Sequence, residues 1–356
     1  MSMPPVCSAP LSLYRVRSDS HDPWLNLAVE ERLMEHVGNG TGLPAGFLYL
    51  WQNDRTVVIG RHQNAWAECR AALLEQEGGK LARRGSGGGA VYHDLGNLNF
   101  SIVLPRVLHD PSRSSGMVVE AVRSLGIDAA LSGRNDILAG DRKFSGNAFQ
   151  LTGSAGLHHG TLLVSTDFGQ VARYLSVSKA KLDSKGVSSV QSRITNLNTI
   201  APDVTVERAG DALIQAFCRH YGTEAGIHAS EPQELDFRSL VDAACLAYRD
   251  RHASWTWRFG RSLPFEASLE QRFDWGSVRL EFHLENGHVQ HHALFTDMLD
   301  PDFPAILDGL FDGCRFDPAD LAGRLDLPLP EADGPYGVSR AGMLKDIQGM
   351  IRDQLS

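Results

Sequence analysis

The sequence predicts a mixed α/β protein of the α+β class with two domains. In the larger domain helices pack on a mixed β-sheet, and a small α+β domain follows it. Strand-like and helix-like segments intermingle over about the first 250 residues, which is typical of one sheet covered by helices. The length of 356 residues exceeds that of one ordinary domain. Strand alternation resumes after Ser254, so we place the domains at residues 1–252 and 253–356.

The first predicted elements are a helix and two strands. Asp22 suits the N-cap of a helix, and Pro23 suits its first position. The apolar residues that follow have helical spacing and form one stripe: Leu25, Ala28, Val29 and Leu33. Two strand-like runs come next, at residues 47–51 and 56–59, and the polar turn QNDR separates them.

The rest of the large domain alternates between strands and helices. Residues 97–104, NLNFSIVL, place apolar side chains on one face, as in a half-buried strand. Helical spacing predicts helices at 116–125 and 205–221. Residues 133–150 and 156–165 are strand-like segments joined by glycine turns, and together these segments predict the mixed sheet.

The small domain begins with a strong hairpin signal. Residues 277–295, SVRLEFHLENGHVQHHALF, alternate between apolar and polar side chains, and Asn286-Gly287 suits a tight turn. Apolar residues with helical spacing follow and predict two helices: Phe303, Ile306, Leu307 and Leu310, then Met343, Ile347 and Met350.

Charge and cysteine usage exclude several classes of protein. The net charge of −9 argues against a nucleic-acid binder, which needs a broad basic face to release phosphate counterions. No apolar run is long enough to span a membrane, and the N-terminus lacks the apolar core of a signal peptide. The cysteines are scattered, which argues against a disulfide framework: Cys7, Cys69, Cys218, Cys245 and Cys314. We therefore expect a cytoplasmic protein.

The stretch LARRGSGGGAVYH, residues 81–93, predicts an anion-binding loop. Four glycines in five positions follow Arg83 and Arg84, and successive backbone N–H groups can form a nest for phosphate or carboxylate. The spacing of a P-loop is absent. A dinucleotide fingerprint matches at Gly85, Gly87 and Ala90, but that motif should open a helix, and AVYHD has the pattern of a strand.

A second group of polar residues lies in RNDILAGDRKFSGNAFQ. Lys143 is either an exposed strand lysine or a cation that neutralises a carboxylate and a phosphate together. Asp136 either caps a turn, orients this lysine or helps to hold a nucleotide-borne Mg²⁺. The tandem His158-His159 alternates faces on a strand, so at most one of the two lines a given pocket.

These motifs resemble those of lipoate–protein ligases of the long, two-domain bacterial type. The resemblance covers nearly the whole chain, and its most specific part is the RR-x-SGGGAV-[FY]-HD run followed later by DRK-x-SG. The other matching segments are SDSHDPWLNLAVEERL (18–33), TVVIGRHQNAWAEC (56–69), HHGTLLVSTD (158–167), SVQSRITNL (189–197), SWTWRFG (254–260) and FDWGSVRLEF (273–282). Gly85 departs from the usual pattern of the loop, so a side-chain contact made there by other members is lost.

The resemblance implies a cytoplasmic, monomeric, ATP- and Mg²⁺-dependent ligase with the biotin/lipoyl ligase catalytic fold. Lipoate would attack ATP to give lipoyl-AMP and pyrophosphate, and a lysine of an apo lipoyl domain would then take the lipoyl group. The acceptors would be E2 subunits of 2-oxo acid dehydrogenases or the glycine-cleavage H protein. Binding both reactants in register supplies much of the rate of such a reaction.

The resemblance also assigns roles to individual residues. Lys143 would be catalytic and would bridge the acyl oxygen and the α-phosphate. On the nucleotide side it implies Arg84, Gly89, Ala90, Val91, Tyr92, Asn135, Asp136 and Lys143, with Asp136 as a Mg²⁺ contact. On the lipoate side it implies Gly87, Gly88, Gly89, Lys143 and His159.

Three alternatives remain open from the sequence. An ATP-independent lipoyl or octanoyl transferase of the same fold would use a cysteine in its acyl site, whereas no cysteine lies at residues 70–217. A NAD(P) oxidoreductase would explain the match at Gly85 and Ala90. A DNA-binding regulator related to biotin ligases conflicts with the acidic net charge.

Overall fold

The computed structural model describes residues 11–38, 45–133, 135–175, 193–222, 232–259, 267–285, 287–329 and 338–355. The chain divides into two compact units. The first consists of Met1–Val58, Arg70–Ala82 and Val91–Ser254, and the second of Ile59–Cys69, Arg83–Ala90 and Trp255–Ser356. Two short segments from the first part of the chain therefore fold with the C-terminal part. The division at residue 252 remains a prediction.

The first unit is built on an eight-stranded mixed sheet. β1 pairs in parallel with β2 and β11, and the other neighbouring strands are antiparallel. The strand order is β11-β1-β2-β6-β10-β9-β8-β7. The strands are β1 (Ser12–Arg17), β2 (Ala45–Trp51), β6 (Asn97–Pro105), β7 (Ala129–Ser132), β8 (Asp136–Ala139), β9 (Arg142–Leu151), β10 (Ala155–Leu163) and β11 (Gln233–Glu234).

Helices pack on both faces of this sheet, which confirms the predicted fold class. On one face lie α4 (Pro111–Arg123) and α7 (Val206–Tyr221), whose apolar residues join one core cluster with alternate residues of β6. On the other face lie α1 (Pro23–Gly38) and α8 (Ala243–Ala253), which belong to a second core cluster. Strand alternation explains why the polar residues of β6 face α1 while its apolar residues face α4.

The helices begin at residues that suit caps. α4 begins at Pro111, five residues earlier than predicted, because the Asp110 side chain accepts hydrogen bonds from the N–H groups of Ser112 and Arg113. α7 begins after Thr205, whose side chain accepts from the Arg208 N–H. Short helices complete this part of the chain: α3 (Ala71–Gln76), α5 (Phe168–Tyr174) and α6 (Leu197–Ile200).

A separate three-stranded sheet has the order β4-β3-β5. Its strands are β3 (Thr56–Ile59), β4 (Lys80–Arg83) and β5 (Val91–His93), and β3 pairs with β5 in the antiparallel direction. The glycine-rich residues lie between β4 and β5, so a strand follows them rather than the helix that a dinucleotide fingerprint requires.

The second unit contains an antiparallel sheet of β12 (Ala267–Phe273), β13 (Gly276–Glu285) and β14 (His288–Thr296). The hairpin forms where it was predicted: Gly287 has φ +77°, and Asn286 lies outside the described residues. Apolar side chains of this sheet and of the helices after it share one core cluster. The helices of this unit are α2 (Ala65–Glu68), α9 (Trp255–Phe259), α10 (Pro304–Leu307), α11 (Pro318–Arg324) and α12 (Arg340–Leu355). Within the described ranges, no helix of the protein has the length and apolar character needed to cross a membrane.

Candidate functional site

The predicted site residues fall into two sets, one in each unit. Lys143, Asn135, Asp136 and His159 lie in the first unit, together with Val91 and Tyr92. Arg84 and residues 87–90 lie in the second unit. Each set is described within its own unit.

Lys143 lies on β9 beside a β-bulge. Ile137 pairs with Ser145, whereas the next residue of β8, Leu138, pairs with Lys143, so Phe144 is the extra residue of the bulge. The backbone of Lys143 is held on its other side as well, because its N–H donates to the Arg193 carbonyl oxygen at 2.7 Å. The strand interior, rather than a free edge, therefore positions this lysine.

The ammonium group of Lys143 forms an ion pair with Asp136. Nζ lies 2.7 Å from Oδ1, and about a third of each side chain is exposed. Gly146 makes room for the lysine, because a Cβ at Gly146 would lie only 3.0 Å from Nζ. A half-exposed ion pair of this kind is weak, so an anionic ligand can compete for the ammonium group.

Asn135 is fixed next to Asp136 by Asn147 of β9. The side chain of Asn135 donates to the Asn147 carbonyl oxygen at 3.0 Å. In return, both the backbone N–H and the side-chain Nδ2 of Asn147 donate to the Asn135 carbonyl oxygen at 3.0 Å. The turn that carries Asp136 is thereby bound to β9 by three hydrogen bonds.

His159 is buried and forms a hydrogen bond with the carboxyl group of Glu30 of α1. Its Nδ1 lies 2.9 Å from Glu30 Oε1, which also accepts a hydrogen bond from the Ser101 hydroxyl at 2.5 Å. Ser101 in turn accepts from the Trp51 indole at 2.9 Å. These groups lie on the face of the sheet that α1 covers, so they orient the His159 ring from one side.

Sequence reasoning did not find Glu30, although a signal was present. Glu30 follows Asn26 by four residues and precedes Leu33 by three, so all three lie on one helical face. That face is buried, and a buried carboxyl group without function would be expensive. An acidic residue on the apolar face of the first helix therefore indicated a buried polar partner, although it did not identify His159.

In the second unit, Arg84 is buried and its guanidinium donates within its own loop. Nη2 donates to the carbonyl oxygens of Gly87 at 2.7 Å and Gly89 at 2.8 Å, and Nε donates to the Ser86 hydroxyl at 3.1 Å. These bonds shape the glycine-rich loop around the side chain. The predicted contact of Arg84 with phosphate remains a prediction.

The glycines of the loop permit close backbone approach. A Cβ at Gly87 would lie 2.1 Å from the Met298 carbonyl oxygen, a distance that real Cβ atoms do not reach. The same oxygen accepts a hydrogen bond from the Gly88 N–H at 2.9 Å, and Gly88 has φ +88°. Gly89 has no heavy atom within 4 Å of its Cβ position, so this position faces open space, unlike that of Gly87.

Arg83 was expected to contribute charge for an anion, and the structure places it among backbone carbonyl groups. Its guanidinium donates to the carbonyl oxygens of Gln63 and Arg258, both at 2.7 Å, and to those of Gly60, Arg61 and Trp257. It thereby fastens residues 60–63 and α9 to the loop. This arginine supports the loop rather than extending from it.

Ala90, Val91 and Tyr92 lead from the loop into β5. Val91 pairs with Val58, and Tyr92 pairs with Val57. The Tyr92 ring is buried and packs 5.7 Å from the Tyr174 ring, and burial raises the pKa of its hydroxyl. The part of this segment that can contact a ligand is therefore its backbone.

Models of two protein families match the chain. The model of the lipoyl protein ligase A/B catalytic domain matches residues 22–218, and that of the bacterial lipoate protein ligase C-terminus matches residues 262–329. The chain belongs to the lipoate–protein ligase family. This confirms the family that the sequence motifs indicated.

Several solved structures share the fold. LipL1 of P. falciparum, solved in complex with lipoate, is 26% identical with a TM-score of 0.81, over 96% of this chain and 100% of that one. The bipartite ligase of Thermoplasma acidophilum, studied with its E2 lipoyl domain, is 27% identical with a TM-score of 0.62, over 72% and 100%. A lipoate-protein ligase A bound with ATP is 28% identical with a TM-score of 0.57, over 71% and 98%.

Asp136 is the predicted Mg²⁺ contact of this lipoate–protein ligase family member. Among the residues that the structure describes, no three His, Cys, Asp or Glu side chains lie together in a way that could hold a metal ion. Asp136 is a single carboxylate next to a lysine. It therefore suits an ion that arrives with a phosphate ligand and not one held by the protein alone.

Proposed function

We propose that the protein is an ATP-dependent lipoate–protein ligase. It would activate lipoate to lipoyl-AMP with release of pyrophosphate, and then transfer the lipoyl group to a lysine of a lipoyl domain. The observation that carries this proposal is the partly exposed ion pair between Lys143 of β9 and Asp136 of β8, because it offers a fixed cation that an anionic ligand can reach.

The first step joins two anions, so neutralising charge is its main requirement. A lipoate carboxylate oxygen attacks the α-phosphorus of ATP, a new O–P bond forms, and the bond to pyrophosphate breaks. Lys143 would contact both the carboxylate oxygen and an α-phosphate oxygen. To do so, Lys143 would break its ion pair with Asp136, which is feasible because the pair is accessible to solvent.

In the second step an amide bond forms on the acceptor lysine. Its uncharged amine attacks the acyl carbon, the bond to AMP breaks so that AMP leaves as an anion, and the amine nitrogen gives up a proton to solvent. Lys143 would stabilise the charge on the acyl oxygen and on the leaving phosphate. No nucleophile of the protein is needed, because the acceptor supplies it.

The remaining residues would bind and orient the two substrates. His159, held by Glu30, would line the lipoyl chain, and Asn135 with Asp136 would contact the nucleotide. In the loop we assign the phosphate contact to Arg84, lipoate contacts to Gly87, Gly88 and Gly89, and backbone contacts with the nucleotide to residues 89–92. Arg84 would have to exchange the Gly89 carbonyl oxygen for a phosphate oxygen to take this role.

Mg²⁺ would accompany the phosphates of ATP. Asp136 is the group that would contact it, and the ion would add positive charge at the phosphates. Lys143 and Arg84 would supply the other positive charges near the phosphates.

Three structural relatives support the proposed substrates. One of them was solved with lipoate, one with ATP, and one was studied together with its E2 lipoyl domain. We transfer these ligands to the present chain as candidates: lipoate, ATP and the apo lipoyl domains of E2 subunits or of the H protein.

The test is a reconstituted lipoylation reaction. Protein, ATP, Mg²⁺ and lipoate are incubated with an apo lipoyl domain, and the acceptor is weighed by mass spectrometry. We expect a lipoyl mass increase that depends on ATP, and pyrophosphate release without acceptor. A mass increase from an acylated carrier without ATP would instead identify an ATP-independent lipoyl or octanoyl transferase.

A further inference from the structure

The first histidine of the tandem pair, His158, has no role in the reaction described above. It is completely buried, and its ring packs 4.5 Å from the Phe149 ring and 5.3 Å from the Phe100 ring. Both ring nitrogens are nevertheless hydrogen-bonded. Nδ1 lies 2.8 Å from the Ser114 hydroxyl of α4, and Nε2 lies 2.9 Å from Asn147 Oδ1.

The tautomer of His158 follows from its neighbours. Asn147 Nδ2 donates to the Asn135 carbonyl oxygen at 3.0 Å, so the Asn147 amide presents its oxygen to the histidine. Nε2 must then carry the proton and donate it to this oxygen, and Nδ1 must accept from the Ser114 hydroxyl. Burial lowers the pKa of His158 well below its ordinary value, so the ring stays neutral in this tautomer.

The hydrogen bonds continue from His158 to the nucleotide side of the candidate site. His158 orients the Asn147 amide, and Asn147 holds Asn135 through three hydrogen bonds. Asn135 directly precedes Asp136, which pairs with Lys143. The order is therefore Ser114, His158, Asn147, Asn135, and then the Asp136–Lys143 pair.

We propose that His158 and Asn147 are positioning residues that set the geometry of the Asn135–Asp136 turn for nucleotide binding. This inference rests on the proposed function, since it takes the turn to be the nucleotide side. His158 touches no substrate in this arrangement and acts through Asn147. Its loss should therefore affect ATP more than lipoate.

The burial of His158 indicates that this residue does more than fill space in the core. An apolar side chain could fill the space between the Phe100 and Phe149 rings without the cost of burying two ring nitrogens. The histidine offsets that cost because both of its nitrogens are hydrogen-bonded, one to Asn147 and one to Ser114, whose hydroxyl also lies 3.2 Å from the Pro111 carbonyl oxygen. Its particular contribution is a fixed direction for the Asn147 amide.

The experiment compares three variants in full-length protein. His158→Leu removes both hydrogen bonds, whereas His158→Gln keeps them, because a glutamine amide can donate to Asn147 and accept from Ser114. His252→Leu is the matched control: His252 is equally buried and is hydrogen-bonded to Glu31, outside this network. The readouts are the KM values for ATP and for lipoate in ATP–pyrophosphate exchange, and hydrogen exchange of residues 135–147.

For His158→Leu we expect the KM for ATP to rise about tenfold, equivalent to about 1.4 kcal/mol, with little change in the KM for lipoate. Amides of residues 135–147 should exchange faster, including that of Asn147, which donates to Asn135. His158→Gln should restore both values. His252→Leu should lower stability without changing either.

Two results would overturn the inference. One is an equal rise of both KM values in His158→Leu, which would indicate a general loss of structure. The other is unchanged hydrogen exchange of residues 135–147 in His158→Leu. This readout tests the positioning role even if the wild-type protein shows no ATP-dependent reaction. Absence of that reaction in wild type would count against the proposed function alone.

Discussion

Lys143 illustrates how a single residue depends on its immediate backbone. The bulge at Phe144 and the hydrogen bond to Arg193 fix its main chain, while Gly146 leaves space for its side chain. Its partner Asp136 holds the ammonium group in place without burying it. The residue is therefore oriented and still accessible, which is what charge neutralisation requires.

Replacing Lys143 should abolish most activity without unfolding the protein. In Lys143→Ala we expect adenylate formation to fall by roughly 100-fold or more, because the charge proposed to neutralise the reacting oxygens is lost. Stability should change by less than about 1 kcal/mol, since the ion pair is half-exposed. Pyrophosphate exchange and thermal melting measure the two effects.

The neighbouring cation provides the control. Arg142 is exposed and adjacent in sequence, so Arg142→Ala removes the same charge from the same strand. It should retain nearly full exchange activity. Wild-type turnover in Lys143→Ala would contradict the role assigned to Lys143.

Unlike Lys143, Arg83 and Arg84 direct their charged groups to the backbone of the protein itself. Both were expected to supply charge for an anion; both are buried and donate to backbone carbonyl groups, and the phosphate contact of Arg84 remains a prediction. A guanidinium has five N–H donors and can therefore hold several carbonyl groups at once. An arginine next to a glycine-rich loop can therefore stabilise the conformation of that loop.

At the scale of the element, the glycine-rich loop is defined by the backbone atoms around it. Gly87 and Gly88 lie against the Met298 carbonyl oxygen, and the Arg61 N–H donates to the Ser86 carbonyl oxygen at 2.9 Å. Residues from two other stretches of the chain, at Arg61 and at Met298, therefore shape the loop. Its glycines are therefore needed for this packing, whether or not they also contact a ligand.

Two alanine substitutions in this loop should have different effects. Gly87→Ala places a Cβ against the Met298 carbonyl oxygen and should destabilise the protein by about 1–3 kcal/mol, as overpacking usually does. Gly89→Ala meets no atom within 4 Å and should change stability by less than about 0.5 kcal/mol. Urea denaturation of both variants checks the comparison. Equal destabilisation would show that the close approach at Gly87 is not maintained in solution.

The packing of α1 against α8 depends on an acidic side chain. Burial raises the pKa of Glu31, but hydrogen bonds and charge from His252 and Arg251 outweigh it, so the pKa is lowered from 4.5. A carboxylate with a lowered pKa stabilises the folded state fully above its unfolded pKa. That contribution is lost as the pH falls through the folded pKa.

This effect predicts a difference in pH dependence. Glu31→Gln should be less stable than wild type at pH 7, and the difference should shrink below about pH 4 as Glu31 becomes protonated in the wild type. Asp128→Asn, at an exposed position, serves as the control and should follow the wild-type curve. Urea denaturation from pH 7 to about pH 3 measures it. A constant difference between Glu31→Gln and wild type would contradict the assignment.

At the scale of the whole molecule, the two compact units do not follow the order of the chain. Residues 59–69 and 83–90 belong to the unit formed mainly by residues after 254. Within that unit the Thr296 N–H donates to the His62 carbonyl oxygen, and the Trp257 indole donates to the Arg83 carbonyl oxygen, both at 2.9 Å. A boundary at residue 252 would separate these groups from their partners.

Truncation at the predicted boundary should therefore loosen two specific segments. In a chain of residues 1–252, amides at 59–69 and 83–90 should exchange faster than in the full-length protein, because the acceptors at Met298 and the donors at Thr296 are missing. Residues 97–105 of β6 lie in the core of the first unit and serve as the internal control. Unchanged protection at 83–90 would show that this loop is formed by the first 252 residues alone.

Much of this organisation could be predicted from the sequence. The hairpin near Gly287, the strand at residues 97–104 and the helix at 205–221 were correct, because each depends on local periodicity and turn chemistry. The family was also evident, since its motifs are contiguous runs such as LARRGSGGGAVYH. The start of α4 was placed too late, because its first turn carries few apolar residues and is defined by the Asp110 cap.

The sequence by itself determined the fold class, the family and the residue types that can meet an anion, since these depend on spacing along the chain. Only the tertiary structure decided the partners: Glu30 for His159, Asn147 for Asn135, and Met298 for the glycine loop. Those partners lie 129, 12 and about 210 residues away along the chain. Such contacts leave no local pattern, because packing on opposite strands and helices, and not sequence spacing, brings them together.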